Sequence, residues 1–244
     1  MTDAKLLFWD LEMSPLKVST WSLWPNSIPI NMIEETQRII CWGARWYDKK
    51  TVTVRDERMG QLEMLTELRD TLSEADMVIS WNGQSFDTRQ ANWAFVKAGL
   101  TPPSPYKEID LMRVAKRRFK AASNKLDHVA QELGVGKKVD TGGFELWRGV
   151  LSGDEAAWRK MRRYQRGDVN LLVDLFEVMK PWVKFSHPVN EGEDVCRACG
   201  SAHLQRRGYA PTLQGKYPRF QCQSCGHWQQ GTLRSPSTNM REIA

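Results

Sequence analysis

Residues 5–11 read as a buried strand, and that strand closes on two acids, Asp10-Leu11-Glu12. Side chains along a strand point alternately to opposite faces, so Asp10 and Glu12 share a face a few ångströms apart. Like charges that close raise one another's pKa unless a cation lies between them. The fold must therefore bury the apolar run and yet give two carboxylates a common opening. A lone Asp-x-Glu more simply begins a solvated turn, so the rest of the chain has to decide between the two.

Residues 39–47 and 51–55 read as strands joined by the polar turn Asp48-Lys49-Lys50. Leu62, Leu65, Leu68 and Leu72 recur at helical spacing over 61–72. Residues 76–81 form a short apolar strand ending at the turn signal Asn82-Gly83, and 86–97 a helix closed by Gly99 and the proline-rich 101–105. A short strand over 106–111 precedes two helices, and 137–149 is Gly-rich and reads as irregular. A long helix is expected from 154 to 180, opened by a capping box of Ser152 and Glu155 and ended by Pro181. Three strands, then helix–strand–helix–strand, then helices, predict an α/β fold with a mixed sheet flanked by helices. The expected boundaries are a domain over 1–183, a linker over 184–194, a small module over 195–232 and a disordered Ser/Thr/Pro tail over 233–244.

Four of the five cysteines fall in two pairs, Cys196-x-x-Cys199 and Cys222-x-x-Cys225, while Cys41 stands alone in an apolar run. Each CxxC turn presents two thiolates to one tetrahedral ion, and two such turns complete a closed structural Zn²⁺ site. His203 and His227 compete as ligands only if one Cys is unused. Between the pairs, Arg206, Arg207, Tyr209, Lys216 and Arg219 combine cations with an aromatic ring, a mixture suited to phosphate contact and base stacking. So small a module has little apolar core, so zinc is expected to contribute most of its folding energy. It resembles the zinc ribbons of some transposases and other nucleic-acid proteins. The net charge of +6 and the eleven tryptophans suit a polyanionic partner whose bases can be stacked upon. No apolar run approaches a membrane span and no signal region opens the chain, so a soluble, cytoplasmic protein with no membrane partner is expected.

The long helix carries an apolar stripe of Trp158, Met161, Leu172, Leu175, Phe176 and Met179. Tyr164 and Asp168, four positions apart, lie on that stripe. An Asp on a buried helix face is expensive unless it is paired or binds metal, and for this segment alone pairing with a nearby Arg is as good a reading as metal. Gly167 beside it costs about 1 kcal/mol in a helix interior, which makes sense if something must approach the backbone closely. Asp87 opens the helix that follows Asn82-Gly83-Gln84-Ser85-Phe86, and alone it would merely complement the helix dipole. Two basic stripes complete the pattern. Arg113, Lys116, Arg117 and Lys120 share one helical face, and Arg159, Arg162, Arg163 and Arg166 form a second that turns away from Asp168.

Taken in order, Asp-x-Glu, Asn-x-x-x-Phe-Asp and Tyr-x-x-x-Asp resemble the three motifs of DnaQ-like exonucleases in the RNase H-like superfamily. The tyrosine places the resemblance in the DEDDy subgroup, and it spans residues 6–182, including Asp110 and the helix that follows Asn124-Lys125-Leu126. It implies an RNase H-like mixed sheet and two catalytic Mg²⁺ or Mn²⁺ ions. Asp10, Glu12 and Asp168 would hold one ion, and Asp10 would bridge to a second supported by Asp87. Tyr164 would orient the attacking water. Leu11, Met13, Asn82 and Phe86 would meet the nucleic-acid end. The family often has Thr after the Glu, and Met13 lacks that hydroxyl. The implied activity is 3′→5′ exonucleolytic hydrolysis, with single-stranded DNA preferred and RNA the other candidate. A non-catalytic nucleic-acid-binding adaptor is the alternative from a different class, and the presence of all four acids and the tyrosine weighs against a retired site.

Overall fold

The apolar character of the first strand on both faces settles where it must lie. In the computed structural model, which describes residues 4–185, 194–212 and 215–232, β1 (Leu6–Met13) is the middle strand of a five-stranded sheet. After β1 come the short β2 (Lys17–Val18) and β3 (Ile33–Glu35), then β4 (Ile39–Trp46), β5 (Thr53–Asp56) and α1 (Gln61–Ser73). The chain continues through β6 (Met77–Ser80), α2 (Asp87–Lys97), β7 (Lys107–Asp110), α3 (Leu111–Arg118), α4 (Leu126–Glu132), α5 (Phe144–Leu151) and α6 (Glu155–Met179). The sheet order is β5-β4-β1-β6-β7, antiparallel from β5 to β1 and parallel from β1 to β7. This is an RNase H-like mixed α/β sheet, as expected.

The two faces of β1 serve two layers. Leu7, Trp9 and Leu11 pack with Leu65 and Leu68 of α1 and Phe95 of α2. Phe8 on the opposite face meets Phe176 of α6 edge-on, with ring centroids 5.2 Å apart. Ile40 and Cys41 of β4 pack on that same side against α5 and α6 through Leu146, Val150, Trp158 and Met161. The six apolar residues expected to form the α6 stripe are all buried.

Several local expectations are corrected. Leu62 is 59% exposed and Met64 takes its place in the core, because α1 is rotated to face β1 through Met64, Leu65, Leu68 and Leu72. Part of the stretch expected to be irregular is α5, whose Leu146 and Val150 are four apart and buried; two helical turns after Gly142-Gly143 give too weak a period to read. Ser152 ends α5, its hydroxyl donating to the Gly149 carbonyl, and Gly153 at φ 81° separates it from the next helix. Asp154 therefore opens α6, accepting from the Ala156 N–H at 2.8 Å, and the Ser152–Glu155 capping box does not form. Phe119 leaves α3 in an extended conformation, so Lys120 lies off the helical face of Arg113, Lys116 and Arg117. The antiparallel pair β2–β3 is too short to show alternation, and the connection it clasps leaves Trp21 and Trp24 about nine-tenths exposed.

The described residues divide into two compact bodies, one over Lys5–Glu177 and a second over the remainder. The second contains a three-stranded antiparallel sheet of β8 (Leu204–Thr212), β9 (Gly215–Cys222) and β10 (Trp228–Gln230), in the order β10-β9-β8. Most of the expected linker, residues 186–193, and the whole expected tail lie outside the described residues. Among the described residues no helix is long and apolar enough to cross a membrane.

The contact of β4 with α6 sets the height at which α6 rides on the sheet. A Cβ at Gly43 would lie 2.8 Å from Gln165 Cγ and 3.2 Å from Val169 Cγ2. Gly43→Ala is expected to destabilise the protein by about 1–3 kcal/mol, the usual range for overpacking. Urea unfolding checks this, and an unchanged midpoint would show that α6 is free to shift.

Candidate active site

Asp10 and Glu12 lie two apart near the end of β1 and face α6, where Asp168 projects toward them. One carboxylate oxygen from each of Asp10, Glu12 and Asp168 falls within a 4.8 Å cluster. Asp87, at the first turn of α2, is 4% exposed, and its Oδ1 accepts from the Leu11 N–H at 3.4 Å. The acid that opens α2 is thus tied to the β1 backbone between Asp10 and Glu12. The three stretches of sequence that resemble nuclease motifs converge on one place.

Crowded carboxyls out of water favour their neutral forms. Burial pushes Asp10 well above its ordinary range, and Asp87, Glu12 and Asp168 push it further, with Lys138 opposing. Glu12 rises to about 8, chiefly through burial, with Lys138 pulling down and Asp168 and Asp87 pushing up. Asp87 rises to about 7, again through burial first, against its hydrogen bonds from backbone amides. Burial also raises Asp168, although Lys138 works against the rise.

Lys138 is the residue that sequence reasoning missed. Its Nζ lies 2.6 Å from Asp168 Oδ2 and 3.0 Å from the Tyr164 hydroxyl. The charge partner of Asp168 is therefore a Lys from the loop before α5, and not one of the nearby Arg that stood as the alternative to metal binding. Two features deliver it. The Lys138 N–H donates to Asp127 Oδ1 of α4 at 2.7 Å. A Cβ at Gly167 would stand 3.0 Å from Val139 Cγ2, so the bare backbone of α6 admits this loop. Arg162, from the second basic stripe, is engaged elsewhere, 2.9 Å from Asp56 Oδ2 of β5. Burial works against the Lys138 charge, but Asp168 and Tyr164 outweigh it and the pKa ends raised.

Gln165 was also missed. It is fully buried, and its Nε2 donates to the Asp10 carbonyl at 2.7 Å and to Asp10 Oδ2 at 3.2 Å. A buried amide three positions before Asp168 lies on the same helical side, which was the available signal. Burial raises the pKa of Tyr164, and Glu12 and Asp168 raise it further, so its hydroxyl keeps its proton. Its ring meets Trp147 edge-on at 6.3 Å, and Trp147 Nε1 donates to the Met13 carbonyl at 3.1 Å.

The residues expected to meet a nucleic-acid end are spread around this group. The Leu11 side chain is in the core, 4% exposed, and Met13 is half-buried at the strand end. Asn82 adopts φ 71° and its N–H donates to Asp110 Oδ1, while Phe86, just before α2, is 40% exposed. Asp110 also accepts from the Met112 and Arg113 amides, and so it caps α3.

In the second body the four cysteine sulfurs cluster. Cys196 and Cys225 Sγ are 3.7 Å apart, as are Cys199 and Cys222 Sγ. A tetrahedron with Zn–S of about 2.3 Å has S···S edges of about 3.8 Å, so the four thiols fit one zinc ion. His203 and His227 are outside the cluster, and His227 Nδ1 instead lies 3.1 Å from the Pro181 carbonyl. Arg206, Arg207, Tyr209, Lys216 and Arg219 are all exposed. The Arg206 guanidinium sits 4.9 Å from the Tyr209 ring, and that of Arg219 sits 4.9 Å from the Trp228 ring.

The family model described as the RNase H superfamily matches residues 32–180, more than half of the chain. The chain belongs to the RNase H superfamily. Among solved structures this RNase H-superfamily chain is similar to the family B DNA polymerase from the hyperthermophilic archaeon Pyrobaculum calidifontis. The identity is 17% and the TM-score 0.53, over 74% of this chain and 25% of the polymerase, a likeness of fold. The chain thus spans about a quarter of that polymerase. No curated protein matches it.

The raised carboxyl pKa values predict a pH dependence of stability without divalent metal. Glu12 moves from 4.5 to about 8 on folding and Asp87 from 3.8 to about 7. The folded state holds more protons across those intervals, so stability is full below the ordinary values and lost as pH rises through the folded ones. In EDTA the Tm is expected to fall between about pH 5 and about pH 9, and Asp10→Asn is expected to flatten the fall. A Tm that rises with pH over that range would contradict the crowding.

Proposed function

We propose that this chain is a metal-dependent 3′→5′ exonuclease of the DnaQ-like DEDDy type, acting on single-stranded DNA ends. Residues 1–183 would be the nuclease domain and 195–232 a zinc ribbon. The observation that carries the reading is the gathering of Asp10, Glu12 and Asp168 oxygens within 4.8 Å, with Tyr164 and Asp168 both held by Lys138.

Divalent metal fits this group. Asp168 Oδ1 is buried with no hydrogen-bond partner among the described residues, and neighbouring carboxyls are pushed toward protonation, as crowded acids are when no cation separates them. Asp10, Glu12 and Asp168 would hold one Mg²⁺ or Mn²⁺, and Asp10 with Asp87 a second. When bound, the two ions supply charge stabilisation to the attacking and leaving oxygens of an in-line displacement. The chain's own groups do the positioning. Gln165 fixes the orientation of Asp10. Tyr164, protonated, donates to the attacking water and aims it at the phosphorus. Lys138 holds the tyrosyl oxygen and Asp168 at a common spacing. Water adds to phosphorus, the bond to the 3′-oxygen breaks, and that oxygen leaves with a proton while a 5′-mononucleotide is released.

In the ribbon, Cys196, Cys199, Cys222 and Cys225 would hold one Zn²⁺. Arg206, Arg207, Lys216 and Arg219 would meet phosphates and Tyr209 a base.

End-labelled single- and double-stranded DNA and RNA, incubated with Mg²⁺, Mn²⁺ or EDTA, test the whole reading. Stepwise loss of 3′ nucleotides from single-stranded DNA is expected, and faster loss from RNA would make the enzyme an exoribonuclease. Asp10→Ala and Asp168→Asn are expected to nearly abolish hydrolysis while the fold is retained, and Tyr164→Phe to slow it by about 10- to 1000-fold. Wild-type turnover by either acid variant would overturn the site.

Cys222→Ser is expected to unfold the ribbon while short oligonucleotides are still cut. Affinity for long strands should drop, and the plot of log K against log salt should flatten as phosphate contacts are lost. An unchanged salt slope would assign the ribbon to another role.

A further inference from the structure

The side of α2 that starts with Asp87 continues away from the acids. Gln90 and Ala94 follow Asp87 by three and seven positions and lie in line with it. They border a cavity of about 280 Å³ that is also lined by Met13, the residue after Glu12. Ile39 and Leu65 add to its apolar lining. The polar groups around it are amides and cations. Gln61 donates through Nε2 to the Ile39 carbonyl at 3.1 Å, leaving its Oε1 buried with no partner among the described residues. The Gln90 side chain, also at the cavity, makes no hydrogen bond within the described residues. Trp93, further along α2, is 60% exposed, and among the described residues it stacks on no other ring and Lys97, one turn beyond, has no ion pair. With a rise of about 1.5 Å per residue, Trp93 lies about 9 Å from Asp87 along the helix axis.

An apolar floor, an exposed indole, amides with free hydrogen-bonding capacity and an unpaired ammonium are together what one nucleotide requires. The indole stacks on the base, the amides meet its edge and the ammonium meets a phosphate. We propose that this cavity takes an unstacked nucleobase of a single strand, internal to the end held at the carboxylates. Trp93 is its stacking platform and Lys97 its phosphate contact. The inference rests on the nuclease reading above and specifies the substrate class: a base paired in a duplex cannot turn into the cavity, so the site selects single strands.

Binding is read by anisotropy of a labelled oligothymidylate of about ten nucleotides, within the usual single-strand site size. Deoxy and ribo forms are measured in EDTA so that no hydrolysis is needed. The base is common to both forms, so Trp93→Ala is expected to weaken whichever form binds roughly tenfold, and Trp93→Phe to restore most of the loss. An abasic strand of the same length should bind wild type and Trp93→Ala alike, a result that a merely structural role for Trp93 would not give. Far-UV circular dichroism confirms the fold of each variant. Equal affinity of wild type and Trp93→Ala for the base-bearing strand, or an equal loss with the abasic strand, overturns the proposal. The two readings fail separately. Trp93-dependent binding without cleavage in Mg²⁺ or Mn²⁺ would remove the nuclease activity and keep the cavity. Cleavage with Trp93-independent binding would do the reverse.

Discussion

Four carboxyl groups crowded around the end of one strand, Asp87 and Asp168 buried and Asp10 and Glu12 partly so, are the constraint on which the larger body depends. Each loses hydration, and Asp87 and Asp168 raise the pKa of both Asp10 and Glu12, so the arrangement is costly wherever it is not compensated. The compensation within the chain is the Lys138–Asp168 ion pair, with Asp168 almost wholly buried and Lys138 about one-third exposed. Among the described residues one cation, Lys138, faces the four acids, and that leaves an electrostatic deficit that a divalent ion would fill. The same deficit connects the folded chain's raised pKa values to the chemistry proposed for it.

The packing around the acids is arranged to bring that compensation in. β1 is buried on both faces and so holds Asp10 and Glu12 at a fixed height. Gly43 of β4, opposite Asp10 in the ladder, lets α6 approach until Gln165 reaches both the carbonyl and the carboxylate of Asp10. Gly167, one position before Asp168, lets the loop of Lys138 and Val139 reach α6. Both glycines act by lacking a Cβ at a close approach.

The tryptophans divide by the same physical criterion. Trp9, Trp42 and Trp158 are core residues at 2% exposure or less, and Trp147 joins α5 to the end of β1. Trp93 and Trp228 stand 60% and 45% exposed, one beside an amide-lined cavity and the other against Arg219. Composition alone allowed either use, and burial separates them.

Short-range pattern was enough for much of this protein. Alternation placed Asp10 and Glu12 on one side of β1, the 3.6-residue period placed Tyr164 and Asp168 on the buried side of α6, and CxxC spacing grouped the four cysteines. These signals are legible because each depends on the geometry of a single element. Lys138 was not legible, because it lies in a loop without period and meets Asp168 only after α4 anchors that loop and Gly167 admits it. Gln165 likewise shows its function only when β4 and α6 are in contact. The cap of α6, though not its start, was misread because Gly153 turns the chain between Ser152 and Asp154, and which of two nearby polar residues caps a helix depends on where the preceding helix ends. Sequence by itself determined which acids share a face; the tertiary structure alone decided what neutralises them, because a charge partner thirty residues away is chosen by packing and not by periodicity.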